Sequence, residues 1–279
     1  MKERNGLERK VAQLIEILPP MPKNISRLMT ARLASNQVYK QVRALIDDDP
    51  GLCSDLLHLA GDICYGSGET IETIDDAVRL VGIEPLIQLI GVSYARKTIK
   101  KEFTKLKHLD DYFEHSRKIS ICCQILAKLH DMPDHKRQMY AVAGLIHDIG
   151  RLIIMLASNK TTVRLMGTSW DKMLTVIRHE KKLMGMNHCD VGMQLCLKWK
   201  FSLILQEAVL RHHTPLIKND FSFPGAMIFV SHFVSFSDLT GEILSSMLEP
   251  ELLRYLQLTV VDFSKAHKMF QSIYKAKLT

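Results

Sequence analysis

Apolar residues recur at three- and four-residue steps through almost every segment of this 279-residue chain. That rhythm is the signature of helices with one buried face, and it leaves little room for a sheet. "NGLERKVAQLIEIL" carries it to Pro19-Pro20, where it stops. "NISRLMTARL", "YKQVRALIDDDP", "GLCSDLLHLAGDI", "IDDAVRLVG" and "EPLIQLIGVSYARKTIKKEF" continue it, with Pro85 fitting the first turn of its helix. A Gly-rich loop, "CYGSGETIE", interrupts the series. The second half reads the same way. "DDYFEHSRKISICCQILAKLH" is one long helix and "QMYAVAGLIHDIGRLIIMLAS" another. After a polar stretch come "DKMLTVIRHEKKLMG", "NHCDVGMQLCLKWK", "LILQEAVLRHH" and, beyond a loop through Pro224, "GAMIFVSHFVSFSDL". No strand pair or hairpin is expected, and the fold class is all-α.

With 47% hydrophobic residues and a mean hydropathy near zero, the chain can bury one large core or two medium ones. The basic stretch leading into residues 103–108 marks the expected boundary, giving an N-terminal helical unit over 1–105 and a second over 106–279. No apolar run is expected to approach the roughly 20 residues that span a bilayer. The charged, amphipathic N-terminus has no signal-peptide core. A cytoplasmic location without membrane partners follows as the expectation. Six cysteines show no CxxC pair and sit in apolar helices, as reduced core residues do. The net charge of +7 lies mostly in the second half, where 22 Lys and Arg face 16 Asp and Glu. Such a surplus reads as a solvated basic face or, more sharply, as a preference for phosphate-bearing ligands. Without a nucleic-acid motif or interleaved aromatics, DNA or RNA is not expected as a partner.

One run contradicts its surroundings. "AGLIHDIGRLIIM" sets His147 and Asp148 among residues that all ask to be buried. A buried imidazole or carboxylate is costly unless it is paired, hydrogen-bonded or metal-bound. Ala143 and Gly144 would let a neighbouring helix approach closely. His130-Asp131, the other such dipeptide, precedes a helix-ending "MPD" and reads as solvated. Further histidines lie on apolar helices of the same half: His115, with Asp111 one turn earlier, His188, His212, His213 and His232. Any one alone is better explained by a backbone carbonyl partner. Several on different helices point to an inward-facing metal site, since imidazoles and carboxylates suit zinc, manganese, iron or nickel. Asp148 could bridge two divalent ions, which together would activate a hydroxide for attack on phosphorus.

"LPPMP", "LIDDDPGLCSDLLHLAG", "CYGSG", "TIETIDDAVRLVGIEPLIQLIG", "EHS" and "AGLIHDIGRL", in that order, make the chain resemble HDOD proteins over residues 15 to 270. That family is a helical output module related to the HD-domain metal-dependent phosphohydrolases. The resemblance implies an N-terminal helical bundle packed on an HD-like domain. It also implies a metal pattern of His115, then His147-Asp148, then a later aspartate, whose place His232 takes here. Relatives of the HD-GYP type add histidines that match His188, His212 and His213, and a glutamate where Asp111 stands. They carry a lysine where this chain has Arg151, which can clamp phosphate but is a poor proton donor. The "HHE…GYP" signature of cyclic-di-GMP phosphodiesterases is absent, because "HHTPLIKNDF" follows the doublet.

Two functions fit. One is a cytoplasmic bacterial signal-transduction protein whose HD-like half binds metal, and with it a nucleotide or other phosphate ester, as a sensor. Its signalling protein partner, expected at the N-terminal bundle from the resemblance alone, is not identified by the sequence. The alternative is an active phosphohydrolase with Asp148 and Arg151 in the catalytic machinery and metal on His115, His147, Asp148, His188, His212, His213 and His232. A di-iron oxygenase is a minor third reading. The acidic "DDDP" reads as a solvated helix end, and "CYGSGETIE" lacks phosphate-loop spacing.

Overall fold

A computed structural model of the chain describes residues 2–30, 35–64, 69–103, 109–158, 170–217, 220–236 and 239–276. The first half consists of α1 (Lys2–Ile17), α2 (Lys23–Thr30), α3 (Ser35–Asp47), α4 (Pro50–Ile63), α5 (Ile74–Val81) and α6 (Ile83–Glu102). The second begins with α7 (Leu109–Leu129), α8 (Asp134–Ile146), α9 (Ile149–Ser158), α10 (Trp170–Met184), α11 (His188–Lys198) and α12 (Leu203–Arg211). After a two-stranded ribbon, β1 (Leu216–Ile217) and β2 (Asp220–Phe221), come α13 (Phe223–Ser235), α14 (Gly241–Ser246), α15 (Pro250–Tyr255) and α16 (Val260–Ala276). The fold is all-α. The Gly-rich positions 65–68, the polar stretch 159–169 and most of the expected boundary at 103–108 lie outside the described residues.

Local signals set the helix ends. Asp49 accepts from the Leu52 N–H and caps α4, with Pro50 in its first turn. Thr73 and Asp76 form a reciprocal capping box at the start of α5, and Asn187 and Asp190 form another at the start of α11. Gly185, at φ +77°, takes the left-handed conformation just past the end of α10.

Three features depart from the sequence reading. The stretch expected as one helix over 138–158 is divided between α8 and α9 by a turn at His147-Asp148. There the Arg151 N–H bonds the Asp148 carbonyl, three residues back instead of four, at 2.8 Å. The adjoining Gly150 is where α11 crosses: a Cβ on it would lie 2.0 Å from the His188 carbonyl oxygen and 2.5 Å from the Gly192 nitrogen. Second, the loop after His213 contains a short antiparallel ribbon, pairing Leu216 with Phe221 and Ile217 with Asp220. Its two-residue strands are too brief to show any period in the sequence. Third, residues 134–158 taken together are long and apolar enough to cross a membrane, but 83% of that window is buried inside the protein. This is a core segment.

The larger hydrophobic core runs from Val11 and Ile15 on α1, through α4–α6, to Ile153, Leu195 and Trp199 in the second half. Polar ties reinforce it. Trp199, fully buried, donates its Nε1–H to the Pro19 carbonyl at 3.0 Å, and the Lys198 ammonium donates to the Ile15 carbonyl at 2.7 Å. A second core joins α7 to α13–α16 around Phe233, Leu256, Phe263 and Phe270. Between them α8 lies against α7 with almost no gap. A Cβ on Gly144 would sit 2.6 Å from the Ser120 backbone, so only glycine permits this approach.

Candidate metal centre

The close crossings at Gly144, Gly150 and Gly192 decide what faces what. They draw the His147-Asp148 turn against α7 on one side and α11 on the other. Asp148 is fully buried at the middle. Its Oδ1 lies 3.3 Å from His188 Nε2, 3.2 Å from His212 Nε2 and 3.1 Å from Arg151 Nε. Its Oδ2 lies 3.5 Å from His115 Nε2 and 3.4 Å from His147 Nε2. His213 joins the first set: its ligating atom and those of Asp148, His188 and His212 all fall within 4.8 Å of one another. His232 joins the second, with His115 and His147, to the same limit. Each carboxylate oxygen thus faces its own nest of imidazoles.

The rings are held in place from behind. His147 Nδ1 bonds the Gly144 carbonyl at 2.8 Å, His212 Nδ1 the Val209 carbonyl at 2.8 Å, and His232 Nδ1 the Ile228 carbonyl at 2.9 Å. A carbonyl only accepts, so Nδ1 carries the proton in each ring and Nε2 is left with a lone pair. His188 is anchored differently. Glu180 Oε2 accepts from both its Nδ1, at 2.6 Å, and its backbone N–H, at 2.8 Å. A carboxylate behind a histidine fixes its orientation and raises its basicity as a ligand.

The result is a cluster of acceptors turned toward one another. Asp148 Oδ1 and Oδ2, His115 Nε2 and His147 Nε2 are all buried without a hydrogen-bond partner. Lone pairs packed around a carboxylate repel it unless protons or cations stand between them. Protonation is opposed: burial depresses His115 to about 3 and His212 to about 4, and holds His213 and His232 well below the ordinary imidazole value. Asp148 stays ionised. Burial pushes its carboxyl up, but Arg151 and His147 beside it outweigh this and hold it well below the usual range. Neutral imidazoles around an ionised carboxylate are the donor set of a divalent transition-metal site, and the residues fit such ions.

Every histidine singled out from the sequence reaches the cluster. Arg151 arrives there too, but already engaged: besides pairing with Asp148, its Nη2 stands 3.5 Å from His213 Nε2. Asp111 is exposed on α7. His130 lies elsewhere, edge-on to the Phe223 ring, and His267 is satisfied by the Val234 carbonyl. The six cysteines are all unpaired, with Cys53 half-buried and the others buried. Glu180 escaped the sequence reading. Its signal was there: Val176, Glu180 and Met184, spaced by four and all buried, put a carboxylate on the apolar stripe of α10.

Comparison with known proteins agrees with this architecture. The HDOD domain family matches residues 18–215. The chain belongs to the HDOD family. A Shewanella amazonensis SB2B structure named "Putative phosphohydrolase" aligns at TM-score 0.66 and 21% identity, over 95% of this chain and 96% of that one. An HDOD domain protein with unknown function from Geobacter sulfurreducens aligns at TM-score 0.65 and 20% identity, covering 97% of this chain and 94% of its own. Likeness at these identities establishes the HDOD fold. A protein of Treponema pallidum (strain Nichols) is 20% identical over 207 residues, covering 74% of this chain. The chain spans 40% of the length of that curated relative.

Proposed function

We propose that this HDOD chain is a regulatory protein of the bacterial cytoplasm. Its HD-like half, residues 106–279, holds a pair of divalent cations and takes a phosphate-bearing ligand as its signal. Residues 1–105 form the N-terminal helical bundle through which a protein partner is engaged. One observation carries the reading: buried nitrogens from separate helices converge on both oxygens of Asp148, and neither oxygen is satisfied by a hydrogen bond.

Asp148, His188, His212 and His213 would hold one cation, and His115, His147 and His232 the other. Bound there, divalent cations supply Lewis acidity and concentrated positive charge. The chain's own residues prepare the place for them. Carbonyls behind His147, His212 and His232 keep each Nε2 free to ligate, and Glu180 does the same for His188. Arg151 neutralises Asp148 and sets a fixed guanidinium charge beside the cluster.

A second reading, an active phosphohydrolase on a nucleotide or other phosphate ester, is favoured by the edge of the site. The His115 side chain is 25% exposed, whereas that of Asp148 is 1% exposed. His115 is thus the ligand nearest solvent, although its Nε2 is itself buried. Here Asp148 and Arg151 would be the catalytic pair, Arg151 contacting the phosphoryl oxygens.

Elemental analysis after purification and after reconstitution with manganese, iron, nickel or zinc tests the metal centre. A chain that takes up no metal refutes both readings. Metal without turnover across a panel of phosphomonoesters and phosphodiesters supports the regulatory one. Turnover that vanishes in His147→Ala and Asp148→Ala but survives in His130→Ala replaces it with the hydrolase.

A further inference from the structure

We infer that the ligand of this centre carries a terminal phosphate with two negative charges, and that neutral His232 is what sets this requirement. The inference rests on the metal-loaded reading above. It follows from the charges that face the site, element by element. From α7 comes His115 and from the α8–α9 turn come His147 and Asp148; α9 adds Arg151 and α10 adds Glu180. α11 adds His188, the end of α12 adds His212 and His213, and α13 adds His232. The Cys189 thiol lies 3.9 Å from His212.

Only Asp148 and Glu180 are negative in that set, and Arg151 cancels one of them. Two divalent cations bring four positive charges, so a strong positive excess remains. The imidazoles cannot remove it. Nδ1 of His147, His212 and His232 is committed to a backbone carbonyl, so these rings ligate as neutral groups and not as imidazolates. Nor can water spread the charge freely, because His147, Asp148, His188 and His212 are fully buried. Uncompensated charge in such a place is costly, and the species that enters must supply what the protein omits. A phosphodiester supplies one negative charge. A terminal phosphate, whose second pKa is about 6, supplies nearly two at neutral pH. A carboxylate at position 232, in the nest that faces Oδ2, would cover part of the deficit and weaken the demand.

The experiment compares methyl phosphate with dimethyl phosphate on the full chain, reconstituted with metal whose content is measured first. Titration calorimetry at pH 7.5 is the readout, so no turnover is needed. Wild type should bind methyl phosphate at least about tenfold more tightly than dimethyl phosphate, the scale expected for one extra charge in a poorly solvated site. His232→Asp, with metal retained, should narrow that ratio several-fold. His232→Asn, which removes the ring without adding charge, should keep a larger ratio than His232→Asp. Equal affinities in wild type overturn the inference, as does a ratio that His232→Asp leaves intact. A chain that binds no metal fails at the first step, which sinks the metal-centre reading itself and is distinguishable from either result.

Discussion

At the start of α5 the Thr73 hydroxyl accepts from the Asp76 N–H at 3.1 Å, while Asp76 accepts from the Thr73 N–H at 3.1 Å. At the start of α9 the carboxylate of Asp148 faces four imidazole nitrogens and a guanidinium, and neither of its oxygens has a hydrogen-bond partner. Both are acidic residues at helix starts. The first is half-buried and its polar groups complete each other; the second is buried and incomplete. Folding tolerates an incomplete cluster only when something else repays its cost, and a ligand that binds the native state does so by mass action. The difference separates a residue kept for the helix from a residue kept for a bound ion.

The strongest challenge to that contrast is Asp148→Ala. It should abolish bound metal by elemental analysis. In the metal-free chain it should also cost about 3–5 kcal/mol in urea unfolding, because Arg151 is left buried without its carboxylate. If metal content stays at the wild-type level, the centre does not depend on its middle residue and the contrast collapses. Gly150→Ala comes next. Its Cβ would meet backbone on α11, not a movable side chain, so a loss of about 1–3 kcal/mol is expected. Because the displaced backbone carries His188, metal affinity should fall together with Tm. A variant that loses stability but binds metal normally would show that the crossing serves packing alone.

Glu180→Gln sharpens the comparison from behind the site. It keeps the shape of the side chain and removes the charge at His188 Nδ1, so chelator competition should register metal binding weakened by about 10–100-fold with the fold retained. In the first half, Thr73→Ala should cost about 0.5–2 kcal/mol through loss of the cap. Metal stoichiometry should not change, and any change would couple the two regions in a way the comparison denies. His130→Ala should have the smallest effect. Its ring meets Phe223 well away from the cluster, so metal content should match wild type.

The sequence carried the donors in recognisable form. His147 and Asp148 stand out because Leu145, Ile146 and Ile149 around them are apolar, and a buried charge must have a reason. His115, His188, His212, His213 and His232 stand out by the same logic once several occur in one half of the chain. Glu180 did not stand out. On an amphipathic helix with Arg178, Lys181 and Lys182, a glutamate reads as one more solvated charge, and only its position on the stripe of Val176 and Met184 distinguished it. The break between α8 and α9 was equally silent, because a helix and a helix with one tightened turn share nearly the same apolar spacing.

By itself, then, the order of residues determined the helices, most of their limits and the chemistry available for a site. Periodicity, capping side chains and proline positions act over a few residues, so they can be read locally. The tertiary structure alone decided the division of six histidines into two nests, one for each oxygen of Asp148, and the placing of Glu180 behind His188. Those arrangements depend on backbones meeting at Gly144, Gly150 and Gly192. The partners in such a crossing are far apart along the chain, and no local pattern records how closely they pack.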